Sequence, residues 1–319
     1  MFRLLQKSIL LQWVITLGLL LFSVYLVFHS TNSVTTDGYP LFHHEMLRWI
    51  SDSLFGYRFW VIASILATIT MIQIYFTQNN FIQKTSLLPS IFYLLMVISS
   101  GVIQNPESIL ISNFFIILIY ISLYSYFKSN SKSKLFFTGL FFGIAILFDF
   151  AIIPLFIFII IALIINTVIS PKALLILLYG IISVVIYVIA IYYFMDQLNQ
   201  LYAHFNQLKI NTIFLFKVNI KPAQYVFIPI STIAFLFILY KINAVYENKV
   251  IIMRKKMFTF NTLLFCLLGT LLITNGNPTH FIGYFFVPLS MLLSIFSQFK
   301  SRFYIYDFLT IIFIIGIWF

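Results

Sequence analysis

Long apolar runs separated by short polar segments repeat along the whole chain. Each run approaches the roughly 20 residues that a helix needs to cross the hydrocarbon core of a bilayer. The pattern predicts eleven spans, at residues 8–29, 59–76, 86–102, 109–127, 135–149, 152–170, 173–194, 224–240, 257–274, 281–298 and 303–319. The predicted fold class is an all-α polytopic integral membrane protein of about 11 transmembrane helices, with residues 1–319 forming a single transmembrane domain.

The segment 135–170 is ambiguous, because it is long enough for either one very long helix or two short ones. Lysines flank it on both sides, at 128–134 and at Lys172. Short basic loops stay on the cytoplasmic side of a membrane. Both ends of the segment then lie on one side, so we expect two crossings with a turn near Asp149 and Pro154.

Composition and charge agree with a membrane protein and indicate its orientation. Only 8% of the residues are charged, against about 25% in soluble domains. With a cytoplasmic N-terminus, 14 of the 19 lysines and arginines fall in cytoplasmic segments, as the positive-inside rule requires. The net charge of +11 then reflects orientation in the membrane, and nucleic acid is not an expected partner. The single Cys266 excludes an internal disulfide.

The titratable groups gather on the opposite, outer face. Six of the eight acidic residues and all five histidines fall there. Any chemistry is therefore expected at the outer boundary between membrane and water. The cytoplasmic loops contain no glycine-rich phosphate-binding motif.

Two predicted outer loops are long enough to fold, at residues 30–58 and 195–223. The first contains Pro40, a residue suited to the first turn of a helix, and then apolar residues at i, i+4, i+7 and i+8. This pattern predicts an interfacial helix over 40–52. Its apolar stripe consists of Phe42, Met46, Trp49 and Ile50. The second loop is predicted to contain another amphipathic helix, with Leu198, Leu201, Phe205 and Leu208 on one stripe.

The layout resembles the membrane module of GT-C glycosyltransferases, which take sugars from polyprenyl-phosphate carriers at the outer face. Asp37 stands in the first external loop ahead of the helix at Pro40, and "IQNPESILISNFF" places Glu107 where the next external turn enters a span. A glycine-spaced segment, "LFFTGLFFGIAILFDFAIIPLF", covers 135–156, and "PTHFIGYFFVPLSMLL" supplies His280. The chain departs from that family where the usual pair of acidic residues is a lone Asp37 followed by Gly38. We also expect no sizeable external C-terminal domain.

The chain also resembles a family of small multi-spanning Bacteroidota membrane proteins. The resemblance lies in the "LLPS" entry to the third predicted span and in the "GLFFGIA" segment. It implies no activity.

The first loop contains three candidate residues. Under the GT-C resemblance, Asp37 is the catalytic base that accepts the acceptor's proton; the alternative is a solvated turn at Asp37 and Gly38. Glu45 either shares that role, binds a divalent metal bridging the lipid phosphate, or lies on a solvated helix face. Arg48 either pairs with a carrier phosphate or anchors the helix to anionic lipid.

Three further candidates for substrate binding follow in other loops. Glu107 comes after a proline at a helix start, where helix capping is the alternative. Asp149 lies between two apolar spans, where ionisable residues tend to be functional; a water-exposed turn is the alternative. His280 is a candidate phosphate ligand. No zinc site is predicted, since the adjacent His43 and His44 point in different directions on a helix.

Three functions remain open at this stage. The first is a GT-C-like glycosyltransferase with a polyprenyl-phosphate-linked sugar donor. The second is a non-catalytic membrane subunit in cell-envelope biogenesis that uses the same loops to hold a protein partner or lipid. The third, a transporter, is the least favoured, because intramembrane charges are nearly absent.

Overall fold

The computed structural model describes residues 8–29, 54–78, 86–100, 109–199, 201–202, 236, 239–241, 243–244, 251–272 and 283–297. Every regular element in these ranges is a helix. The helices are α1 (Ile9–His29), α2 (Leu54–Gln78), α3 (Leu88–Ser99), α4 (Ile109–Ser129), α5 (Lys132–Phe148), α6 (Leu155–Ile165), α7 (Pro171–Phe194), α8 (Ile251–Leu268) and α9 (Phe286–Phe296), with 3-10 turns at Phe150–Ile152 and Gly269–Leu272.

Four helices in the described part are long and apolar enough to cross a membrane. They are α1, the stretch Arg58–Phe76 of α2, α4 and α7. Each coincides with a span that the sequence predicts. The protein is therefore an α-helical, multi-pass membrane protein.

Three apolar helices are shorter than the sequence predicts. In the described parts of the predicted spans 86–102, 152–170 and 281–298, the helices α3, α6 and α9 have 12, 11 and 11 residues. All eleven α9 residues are buried, as are nine of the twelve in α3. A helix in contact with lipid must be long enough to cross the hydrocarbon core. A helix covered by protein can be shorter, since non-helical backbone is tolerated where protein covers it.

Helix α8 begins six residues earlier than the predicted span at 257–274. Its first turns therefore contain Arg254, Lys255 and Lys256, which the sequence places in a loop. The Lys256 ammonium lies 4.8 Å from the centroid of the Tyr124 ring. This cation–π contact joins the start of α8 to the last turns of α4.

The first three helices meet at one end of the bundle. Gln12 near the start of α1 accepts a hydrogen bond from the Leu87 backbone N–H at 2.7 Å, which satisfies a donor just ahead of α3. Near the end of α2, the Gln73 side chain donates to the Ser86 carbonyl at 3.0 Å. The end of α4 lies here too, since the rings of Tyr75 and Tyr124 are 5.8 Å apart.

Helices α5 and α7 pack side by side in parallel. A Cβ added to Gly139 would overlap the carbonyl oxygen of Leu177, and one added to Gly143 would stand 3.1 Å from Val184 Cγ2. A Cβ at Gly180 would likewise overlap backbone of α5. Residue numbers rise together along both helices, so the helices run in the same direction. The small residues permit this close approach, as in other membrane helix pairs.

A parallel pair requires the chain to reverse twice between α5 and α7. The first reversal occupies the 3-10 turn and the start of α6, and the predicted turn near Asp149 and Pro154 is confirmed. Helix α6 then runs antiparallel to α8: the Asn166 amide donates to Thr259 Oγ1 at 3.2 Å, while a Cβ at Gly269 would lie 3.0 Å from Pro154 Cβ.

These contacts define two ends of the bundle. The basic end holds the starts of α5, α7 and α8, with Lys128, Lys132, Lys134, Lys172, Arg254, Lys255 and Lys256. The Asp149 end holds the end of α5 and the starts of α4 and α6. Consecutive helices alternate in direction from α1 to α7, whereas α7 and α8 both leave the basic end. Helix α7 therefore ends at the Asp149 end, whereas α8 begins at the basic end.

The predicted interfacial helix over 40–52 lies outside the described residues. Of the second predicted outer loop, the structure describes 195–199 and 201–202. Helix α7 ends at Phe194. Two residues later Asp196 has a positive φ of 55°, and the Gln197 N–H donates to the Tyr192 carbonyl oxygen at 2.9 Å. Leu201 is buried against α7, but Leu198, predicted to share its apolar stripe, is exposed.

Candidate functional site

Asp149 ends α5 in extended backbone, with φ −157° and ψ 112°. Its side chain is only 5% exposed. One carboxylate oxygen, Oδ1, accepts a hydrogen bond from the Ala151 backbone N–H at 3.0 Å, the local pattern by which Asp stabilises a turn two residues on. The alternative of a water-exposed turn at Asp149 is therefore wrong, since neighbouring helices bury this turn.

Tyr284 provides the second hydrogen bond to this carboxylate. Its hydroxyl donates to Asp149 Oδ2 across 135 residues of sequence. The Tyr284 side chain is fully buried and lies just before α9. A buried carboxylate is costly unless polar partners replace water, and the Tyr284 hydroxyl is such a partner. The hydrogen bond joins the end of α5 to the segment just before α9.

Asn113 connects the same segment to the first turns of α4. Its side-chain amide donates to the Gly283 carbonyl at 3.0 Å, across 170 residues. Gly283 leaves no room for a side chain, because a Cβ there would overlap Ile109 Cγ2. The Asn113 side-chain oxygen is buried without a hydrogen-bond partner in the described part of the chain. Three segments therefore converge here: the start of α4, the turn after α5 and the residues before α9.

Apolar packing surrounds these polar contacts. Phe148, next to Asp149, stacks on Phe115 of α4 with ring centroids 5.7 Å apart and planes 18° apart. Ile152 and Leu155 beyond the turn are fully buried. Hydrogen bonds in such a low-dielectric setting are strong, and breaking one is correspondingly costly.

Of the six predicted site residues, the structure describes Asp149. The other five, Asp37, Glu45, Arg48, Glu107 and His280, lie outside the described residues. Two of these, however, are close in sequence to the convergence. Glu107 is two residues before Ile109, and His280 is four residues before Tyr284.

Sequence reasoning missed Tyr284 and Asn113. Both stand in aromatic, apolar strings, "GYFF" and "SNFF", where a lone polar group gives no periodic signal. One general rule could have pointed to them: a buried carboxylate needs a hydrogen-bond donor. The rule requires a partner for Asp149 but does not say which residue it is.

The geometry suits positioning more directly than metal binding. Among the described residues, no three His, Cys, Asp or Glu side chains come close enough to hold a metal ion together. Asp149, held by a hydroxyl and a backbone N–H, fixes the turn after α5 against the segment before α9, and Asn113 fixes the start of α4 against the same segment.

Comparison with known proteins adds no relative. No protein-family model matches this chain, and no curated protein or solved structure is similar to it.

Proposed function

We propose that the protein has eleven spans in a bacterial inner membrane, with its N-terminus in the cytoplasm. The alternating directions of α1 to α7 support this topology. So does the shared direction of α7 and α8, which requires a return of the chain where the sequence predicts the span 224–240. Basic residues at one end and Asp149 at the other agree with a cytoplasmic basic end.

Cysteine labelling tests this topology. Each variant is made in a Cys266→Ser background and carries a single thiol at an exposed position. Ser133→Cys lies at the start of α5, and Asn199→Cys lies just beyond the end of α7. A membrane-impermeant maleimide added to intact cells should label the variant at 199 and spare the variant at 133, which should react only after lysis. The reverse pattern would invert the topology.

We further propose a GT-C-like membrane glycosyltransferase that uses a polyprenyl-phosphate-linked sugar at the outer face. One observation supports it above others: the start of α4, the Asp149 turn and the residues before α9 come together at the end opposite the lysines. The GT-C resemblance assigns its acid and basic residues, Glu107 and His280, to the loops that lead into these segments.

The reaction follows from the chemistry of the predicted residues. Asp37 accepts the proton of the acceptor hydroxyl while that oxygen attacks the anomeric carbon of the sugar. The bond from this carbon to the phosphate oxygen breaks, and the electron pair leaves with polyprenyl phosphate. Arg48 and His280 stabilise the phosphate charge. Glu45 assists the base, and Glu107 helps to arrange the phosphate. Asp149 acts through Tyr284 by positioning the segment that follows His280.

A second candidate function is that of a non-catalytic membrane subunit in envelope biogenesis. The exposed apolar side chains along α1 and α7, such as Leu10, Leu21, Ile186 and Tyr187, offer a surface for this function. In that case a partner's helices would cover faces that otherwise contact lipid, and Asp37 would have no chemical role.

The variant Asp37→Asn distinguishes the two functions. Asparagine keeps the shape of the side chain but cannot accept the proton, so transfer should fall about 10²-fold or more while expression stays unchanged. Transfer and binding of polyprenyl-phosphate sugar are measured on the same purified preparation. Retained binding with lost transfer supports the enzyme. A wild-type protein that binds no carrier lipid, with an Asp37→Asn variant that fully complements a deletion, supports the subunit.

A further inference from the structure

The basic end carries a concentrated charge. The side chains of Lys128, Lys132, Lys134, Lys172 and Arg254 are exposed, and Lys255 and Lys256 are half-buried. The two acidic residues in the described part of the chain, Asp149 and Asp196, both follow the C-terminal ends of α5 and α7. Since these helices are parallel, both acids lie at the opposite end from the lysines.

This distribution opposes the intrinsic electrostatics of the helices. The N-terminus of a helix favours negative charge and the C-terminus favours positive charge. Yet α5 and α7 have lysines in their first turns, with no acidic residue there. Gly139 and Leu177, which touch, are 38 positions apart, and so are Lys134 and Lys172, so these two lysines lie at the same level. The positive-inside rule accounts for the side of the membrane on which the lysines lie, but lysines in these first turns are unfavourable for the helices. An anion bound at this level would offset that unfavourable interaction.

The depth of these lysines favours a lipid over a soluble anion. Buried apolar residues, Leu135 and Ala173, follow directly after Lys134 and Lys172. Exposed apolar side chains come within the next seven positions: Phe137 is 43% exposed, Leu175 54% and Tyr179 63%. A ligand with a phosphate headgroup and acyl chains satisfies the charged and the apolar surfaces together, as basic sites between transmembrane helices do for anionic lipids.

We propose that the starts of α5 and α7 form a binding site for an anionic phospholipid. Lys132, Lys134 and Lys172 bind the headgroup phosphate, and the acyl chains lie along the exposed apolar side chains that follow. This inference is independent of the glycosyltransferase proposal, because it concerns the opposite end of the bundle.

The test uses the full-length protein in a neutral detergent, with Lys132, Lys134 and Lys172 all replaced by glutamine. Phosphatidylglycerol is titrated and binding is measured by native mass spectrometry. Each basic residue near an anionic surface contributes about 1 kcal/mol, so the triple variant should bind on the order of 10²-fold more weakly. A triple Lys→Arg variant keeps the charge and should bind like the wild type.

Two further arms separate the alternatives. Phosphatidylcholine should bind equally to all three proteins, because it has no net charge. Inorganic phosphate at the same concentration should not protect the wild type against thermal unfolding, whereas phosphatidylglycerol should. Equal phosphatidylglycerol binding by the wild type and the glutamine variant would overturn the proposal. Equal protection by inorganic phosphate would replace the lipid with a soluble anion.

Discussion

Replacing Gly139 with alanine is expected to destabilise the bundle by about 1–3 kcal/mol, the usual cost of overpacking a tight interface. The added methyl would overlap the Leu177 carbonyl oxygen. That atom belongs to the backbone of α7, so no side-chain rotation relieves the overlap and the two helices have to separate. Gly180→Ala should act similarly, because its methyl would overlap the Phe136 carbonyl oxygen.

Gly18→Ala is the matched control for this prediction. It lies in a membrane helix, α1, with nothing within 4 Å of an added Cβ. Alanine is a better helix former than glycine by about 0.8–1 kcal/mol, so this variant should be neutral or slightly stabilised. Unfolding in a series of mixed micelles with increasing dodecyl sulfate measures both. Equal midpoints for Gly139→Ala and Gly18→Ala would contradict the close packing of α5 on α7.

Loss of the Tyr284 hydroxyl is expected to have the second-largest effect. Tyr284→Phe preserves the ring but removes the donor to Asp149 Oδ2. A buried acceptor that loses its partner costs about 1–3 kcal/mol, and the same unfolding assay measures the loss. Tyr187→Phe serves as the control, since the Tyr187 side chain is 70% exposed and surface changes usually stay within about 0.5 kcal/mol.

A double-mutant cycle assigns the loss to the pair. Asp149→Asn and Tyr284→Phe are combined, and the double variant should lose clearly less than the sum of the single losses, because residues that share a hydrogen bond are not additive. Additive losses would mean that Tyr284 stabilises the bundle without Asp149. Because Asn113 bonds to the neighbouring Gly283 carbonyl, it stays unchanged in both variants and keeps α4 in place.

The long helices could be read from the sequence, whereas the short ones could not. Helices α1, α4 and α7 start and end within two residues of their predicted spans, because a helix long enough to cross the bilayer must be apolar over its full crossing length. Helix α9 contains 11 residues where the sequence predicts 18. Its neighbours bury it completely, so hydrophobicity there reports burial by protein and continues through residues outside the helix.

The candidate site shows the same division. The lysines on both sides of 135–170 predicted a turn near Asp149, and the structure has one. They did not predict whether its carboxylate faces water, because that depends on which helix covers the turn. The hydroxyl of Tyr284, 135 residues away in the sequence, donates a hydrogen bond to this carboxylate. Nothing in the local sequence of Tyr284 distinguishes it from the other tyrosines in apolar strings.

The sequence by itself determined the class of the protein and the segregation of its charges. Both are one-dimensional properties: the length of an apolar run decides whether a segment enters a membrane, and flanking lysines decide which way it faces. Only the tertiary structure decided that α5 and α7 run parallel through Gly139 and Gly180, and that Tyr284 holds Asp149. Such contacts join residues far apart in the chain, and their partners are set by close packing in three dimensions, which hydrophobic periodicity does not specify.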